Sequence, residues 1–249
     1  MDLQIRDRVA IVTGASRGLG RAIALGLAVE GAQVLAVARS KDSLDRLAAG
    51  SDGRIAAAVC DIGDDAQTAR LVELAMERFG RLDAVVNNAG ISPGQLLLDS
   101  TRSDWEHILA VNFMGPVCLC RAAGRILTAQ RSGKIVNISS ITGLVGRRTI
   151  SAYSSAKAAL IRFSESLAHE WASSNVQVNV IAPGGFDTEA QQEVLTTPDL
   201  VEARLARIPA GRLGRPEEIA SLAAYLVSPH SDFMTGATLV MDGGEVAHL

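Results

Sequence analysis

Residues 8–28 read RVAIVTGASRGLGRAIALGLA, and the character of the chain changes twice within them. An unbroken apolar run, 8–13, suits a strand covered on both faces. Three glycines follow, Gly14, Gly18 and Gly20, and then an apolar stretch of helical period over 20–29. Glycine allows a tight turn and lets a phosphate approach the backbone, while the start of a helix offers free N–H groups and a partial positive charge. A glycine-rich turn can be only a turn. Between a buried strand and a helix it reads as a nucleotide site, although G-x-x-x-G-x-G differs from the G-x-G-x-x-G fingerprint.

The same alternation continues outward from this stretch. Short apolar runs recur at 33–38, 54–60, 82–87, 134–139, 176–182 and 237–242, with helical patterns at 64–78, 103–129, 153–171 and 216–227 between them. Strand–helix alternation of this kind predicts an α/β fold, one doubly wound, Rossmann-type parallel sheet of about seven strands with helices on both faces. No linker, repeat or low-complexity tract interrupts it, so a single domain over 1–249 is expected. Ligands bind outside the carboxyl ends of such strands. Small and polar residues collect there in turn: GASRGLG, RS, DI, NAGIS, SITG and PGGFDT. This is a binding crest.

Composition narrows the function classes. A net charge of −3 on 249 residues gives no electrostatic reason to expect nucleic acid or an acidic membrane as partner. The N-terminus lacks the pattern of a signal peptide, and no uninterrupted apolar run approaches the roughly 20 residues of a membrane span. Cys60, Cys118 and Cys120 read as buried free thiols of a cytoplasmic protein. His107, His169, His230 and His248 show no metal-ligand spacing, and no metal site is expected. Trp105 and Trp171 read as packing or interface residues.

One of only two tyrosines stands four residues before a lysine on the 153–171 helix. Tyr153 and Lys157 therefore share a face, and a nearby cation favours the phenolate, lowering a pKa that is ordinarily about 10. Such pairs also arise by chance. Taken together, Thr13-Gly14-x-x-x-Gly18-x-Gly20, NNAG at 87–90, Ser140, Tyr153-x-x-x-Lys157 and PGGFDT resemble the short-chain dehydrogenase/reductase family over Val9 to Gly244, in the family's order.

The resemblance implies hydride transfer between a nicotinamide and a carbonyl or secondary alcohol. It makes Tyr153 the acid in reduction and the base in oxidation, with Lys157 lowering its pKa and reaching the nicotinamide ribose. Ser140, with Ser139 as a rival, becomes the donor to the substrate oxygen, and Asn112 the residue that ties a proton-relay water to the lysine. It assigns Gly14, Ser16, Arg17, Gly18, Leu19 and Gly20 to the cofactor phosphates and Asp61 and Ile62 to the adenine. Asn88, Ala89 and Gly90 go to the adenine-ribose region, and Pro183, Gly184, Phe186 and Thr188 to the nicotinamide.

The end of the second run reads Ala38-Arg39-Ser40, with no acid for the ribose hydroxyls. Arg39 and Arg17 suit a 2′-phosphate, so NADP(H) is expected over NAD(H). Substrate choice falls to 91–104, 141–152 and a polar lid at about 184–214. The pattern most resembles 3-oxoacyl-carrier-protein reductases and, almost as closely, sugar or sugar-acid dehydrogenases. Arg131 suits an acidic carrier protein, but Ser173-Ser174-Asn175 brings no charge; Arg147 and Arg148 face either an anionic substrate or solvent. A non-catalytic nucleotide-binding sensor is the reading from another class, disfavoured by the complete Asn112, Ser140, Tyr153 and Lys157 set. Ile108, Val111 and Phe113, with Leu160, Phe163 and Leu167, suggest a second apolar face on two helices and hence a homotetramer, or failing that a dimer.

Overall fold

All seven apolar runs form strands in the computed structural model, which describes residues 2–248. They are β1 (Val9–Thr13), β2 (Gln33–Ala38), β3 (Ile55–Val59), β4 (Ala84–Asn87), β5 (Gly133–Ile138), β6 (Val176–Pro183) and β7 (Thr238–Met241). Every pairing is parallel, in the order β3-β2-β1-β4-β5-β6-β7. The order reverses beside β1, which pairs with β2 on one side and β4 on the other. That reversal opens a crevice at the carboxyl ends of β1 and β4.

Alternate residues of each strand feed two separate cores, as a period of two requires. Val12, Val34 and Val86 point to one side, where they meet Ile23 and Leu27 of α1 (Gly18–Val29) and Ile219 and Ala223 of α9 (Pro216–Val227). Ile11, Leu35 and Val85 point to the other, against Leu71 of α3 (Asp65–Phe79) and Leu119 and Leu127 of α5 (Gly115–Ala129). Burial on both faces explains why the runs are continuous rather than alternating.

Three departures from the sequence reading affect the site. The helix expected over 103–129 is α4 (Arg102–Leu109), a π-helical turn over Ala110–Met114, and α5. Taken whole, Arg102–Ala129 passes for a membrane span by length and composition alone, although charged and polar residues interrupt it; here it packs within the fold, with 56% of its most apolar window buried. A further helix, α2 (Lys41–Ala49), joins β2 to β3, and the 184–214 segment holds α7 (Glu189–Gln192) and α8 (Pro198–Leu205).

The apolar residues nominated for a partner are largely covered within the chain. Ile108, Val111, Leu160 and Leu167 are buried, and Phe113 meets Phe163 edge to face at 6.0 Å. Those faces are spent within the chain, where α4 and the π-helical turn pack against α6 (Ser151–Trp171) and α6 packs on the sheet.

Candidate active site

The glycine turn is built where β1 ends. Gly14 and Gly18 have φ of 68° and 54°, the left-handed region that other residues enter at a cost. Gly20 is required by closeness instead: a Cβ there would lie 2.2 Å from the Gly14 carbonyl oxygen. Thr13 holds the neighbouring strand end in place, its Oγ1 accepting the N–H groups of Asn88 and Ala89, both at 3.0 Å. Asn88 returns its side-chain amide to the Thr13 carbonyl at 2.9 Å. The Asn88 side chain is therefore spent on the turn. Thr13 carries this junction, and a lone threonine at a strand end gave little sign of it.

The residues nominated for the cofactor all line one cleft of about 1060 Å³, from Arg39 and Asp61 at one end to Pro183, Phe186 and Thr188 at the other. Ser140, Tyr153 and Lys157 line it too. Asn112 lies behind the wall, in the π-helical turn, where the helix widens by one residue per turn. Its amide donates to the Ile91 and Ile108 carbonyls, both at 2.9 Å, and its Oδ1 accepts Ile91 N–H at 3.2 Å. A Cβ on Gly90 would stand 2.8 Å from Asn112 Oδ1 and 3.6 Å from Lys157 Nζ, so only glycine lets these two groups approach from opposite sides.

Ser140 caps a short 3-10 turn, Ile141–Gly143, and its Oγ accepts from Thr142 N–H at 3.1 Å and Thr142 Oγ1 at 3.0 Å. Its own proton stays available to a ligand or to Tyr153. The rival, Ser139, donates instead to the Lys157 carbonyl at 2.9 Å, which makes it a strut for α6. Lys157 Nζ lies 5.7 Å from the centre of the Tyr153 ring and donates to the Ile138 carbonyl at 2.9 Å. Burial pushes the ammonium down to about 8. Burial also raises the Tyr153 pKa, and its hydrogen bond with Ser140 offsets only part of that. The lowering expected from Lys157 is thus corrected: burial dominates the Tyr153 shift, and Ser140, not Lys157, opposes it.

A buried polar ladder lies beneath. Asn87 and Asn137, paired across β4 and β5, are joined at 2.8 Å, and Asn137 donates to Ser164 Oγ at 2.8 Å. It fixes α6, and so Tyr153 and Lys157, against the sheet. The sequence reading gave neither asparagine a role, although Asn87 opens the NNAG motif; Asn87 is the last residue of β4 and Asn137 the last but one of β5.

A family model described as enoyl-(acyl carrier protein) reductase matches residues 14–245. The 3-oxoacyl-[acyl-carrier-protein] reductase FabG of Thermotoga maritima is 36% identical over 98% of this chain and 100% of its own length. FabG of Escherichia coli K12 is 37% identical over 97% and 98%. A solved structure from Sinorhizobium meliloti 1021, provisionally assigned as a short-chain alcohol dehydrogenase, superposes with a TM-score of 0.94 at 35% identity, covering 99% of each chain. Another, from Agrobacterium tumefaciens and provisionally a gluconate dehydrogenase, gives 0.93 at 30% identity over the whole of both chains. The chain belongs to the short-chain dehydrogenase/reductase family. It is an oxidoreductase of CH–OH and C=O groups, and the family uses a nicotinamide cofactor.

In this short-chain dehydrogenase/reductase the 184–214 segment leans on the glycine turn. Glu189, just beyond Thr188, accepts Gly18 N–H at 3.0 Å and pairs with Arg21 at 2.7 Å. Burial alone would raise the Glu189 pKa, but backbone N–H groups and Arg21 hold it below the usual range. Glu193 pairs with Arg17 at 2.7 Å. Arg39 makes no ion pair among the described residues and lies exposed in the cleft. Arg147 is held by buried Glu245 rather than solvated, whereas Arg148 is exposed. Arg131 donates to the Ser173 carbonyl at 2.9 Å.

Proposed function

We propose that this protein is an NADP(H)-dependent reductase that interconverts a ketone and a secondary alcohol, on a substrate of the 3-oxoacyl thioester type. The observation that carries the reading is that Tyr153, Ser140 and Lys157 line one cleft, with the Lys157 ammonium 5.7 Å from the centre of the Tyr153 ring. A bound nicotinamide supplies the hydride equivalent. Gly14, Ser16, Gly18, Leu19 and Gly20 would hold its phosphates, Asp61, Ile62 and the 88–90 turn its adenosine half, and Pro183, Gly184, Phe186 and Thr188 its reactive ring. The glycine turn fits that group: the first N–H of α1 already takes an anion, the Glu189 carboxylate at 3.0 Å, and a Cβ at Gly20 would strike the Gly14 carbonyl and spoil the turn.

Tyr153 gives its phenolic proton to the carbonyl oxygen, and its raised pKa keeps it protonated at neutral pH. Ser140 donates a second hydrogen bond to the same oxygen, lowering the barrier as charge develops there. Lys157 stabilises the phenolate left behind, and Asn112 sets the backbone at Ile91 and Gly90. Arg39 at the end of β2, with no acid beside it, supports the preference for a 2′-phosphate. The 184–214 segment acts as the substrate lid of a single domain. Three buried free thiols accord with the cytoplasm.

The gluconate dehydrogenase-like neighbour favours a second reading, a sugar-acid dehydrogenase, and the uncharged Ser173-Ser174-Asn175 beside Arg131 weakens carrier-protein docking. NADPH oxidation against an acetoacetyl thioester, a crotonyl thioester and 5-ketogluconate separates these. The oxoacyl reading expects the first to win. Turnover of the crotonyl thioester alone would move the reaction to the carbon–carbon double bond, and a higher kcat/KM with NADH would overturn the cofactor preference.

A further inference from the structure

Behind the substrate side of the cleft sits a carboxylate that neither the glycine turn nor the Tyr153 group uses. Glu245, in the tail after β7, is 5% exposed. Arg204 of α8 grips it with both prongs, Nη1 to Oε1 at 2.7 Å and Nη2 to Oε2 at 2.9 Å. Arg147, from the loop between Ser140 and Tyr153, donates to the same Oε1. Planar guanidinium against carboxylate is the strong, directional form of ion pair. Here one carboxylate serves two guanidiniums, one from α8 and one from the loop that joins Ser140 to Tyr153.

The tail that carries Glu245 is itself anchored. Asp242 accepts Gly244 N–H at 2.9 Å and Val246 N–H at 2.7 Å, and Ala210 N–H donates to the Gly243 carbonyl at 3.0 Å. Arg204 in turn presses on the wall: a Cβ on Gly185 would stand 2.5 Å from its Nη2, and Gly184 and Phe186 on either side line the cleft. A continuous path of contacts therefore runs from Phe186 through Gly185, Arg204 and Glu245 to Arg147 and the Ser140–Tyr153 loop.

We propose that Glu245 is a positioning residue for the substrate, locking the lid helix α8 and the 141–150 loop together so that Gly184 and Phe186 on one side and Ser140 and Tyr153 on the other hold one spacing across the cleft. The proposal rests on the ketone-reductase reading for its kinetic consequence, not for the lock itself. Without the carboxylate, two guanidiniums face each other uncompensated in a mostly buried site, and the loops part.

The test uses Glu245→Gln, nearly the same shape without the charge, and Arg147→Met at the more exposed end. With an acetoacetyl thioester as probe, both variants should raise KM about tenfold, leave kcat within about threefold, and leave NADPH affinity by fluorescence titration unchanged. Hydrogen exchange on the unliganded chain reads the lock without turnover. Arg204→Met, a change in the lid, should speed amide exchange in 141–150. Faster exchange confined to the substituted element, or a KM that does not move, overturns the lock, as does loss of kcat and NADPH affinity together. If wild-type protein reduces no ketone, the exchange result alone decides, and the reductase reading fails separately.

Discussion

Lys157 is a cation kept in the interior, 2% exposed, with a backbone carbonyl as its hydrogen-bond acceptor. Its folded-state pKa of about 8 lies below the roughly 10.4 of an unfolded lysine, so between those values the unfolded chain binds the extra proton and stability rises with pH. Below about 8 the full cost is present, on the order of a few kcal/mol. Lys157→Met should therefore melt several degrees higher than wild type at pH 7, with the gain shrinking towards pH 10. An equal or lower Tm at pH 7 would refute the argument. Activity should move the opposite way. Tyr153→Phe removes only the transferable proton and should cut kcat about 10²–10⁴-fold with NADPH affinity nearly intact. Lys157→Ala should lose turnover and also weaken NADPH binding; near-normal turnover by Tyr153→Phe would end the proposed mechanism. Because burial raises Tyr153 above the ordinary phenol value, ketone reduction should hold nearly level from about pH 7 to 9 with the phenol protonated, while alcohol oxidation quickens as the small phenolate fraction grows.

Among the elements, α7 and α1 meet through charge. The Glu189 carboxylate occupies the free N–H of Gly18, a position suited to an anion. A cofactor phosphate arriving at the turn must compete with it, so Glu189→Gln should tighten NADPH binding by a few-fold in a fluorescence titration. Weaker binding would mean that the carboxylate holds the segment over the cofactor instead. The Arg17–Glu193 pair is more than half exposed at both ends and adds little. None of these contacts was legible in the sequence, because Arg17 and Glu193 lie 176 positions apart and ion pairing leaves no periodic trace. The strands were legible, since burial on two faces writes itself as unbroken apolar runs. The π-helical turn at Asn112 was not, because one extra residue barely disturbs the apolar pattern running from Ile108 to Leu127. Helix α2 escaped notice for the opposite reason: Leu44 and Leu47 are its only buried residues, on an otherwise charged surface. Tyr153, Lys157 and Ser140 were legible through spacing to a motif. The direction of the Tyr153 shift was not, because desolvation depends on what the fold lays over the ring.

For the molecule as a whole, the homotetramer remains a proposal, and it moves to different residues. Phe233 is fully exposed, Met114 and Val240 are 44% and 43% exposed, and β7 lies at an edge of the sheet. An open edge with apolar side chains invites a second chain. Light scattering at micromolar concentration should give a mass of four chains, and Val240→Lys should lower it; a monomer mass for wild type would remove the proposal. The reversal of strand order beside β1 has a separate consequence. Arg39 and Asp61 hang from strands on one side of it, Ser140 and Phe186 on the other. On the roles proposed for Arg39 and Ser140, cofactor choice and bond chemistry become two separable traits, joined at the glycine turn. A lineage can exchange one nucleotide for another without renegotiating what it reduces, and can take up a new substrate while keeping its source of reducing power.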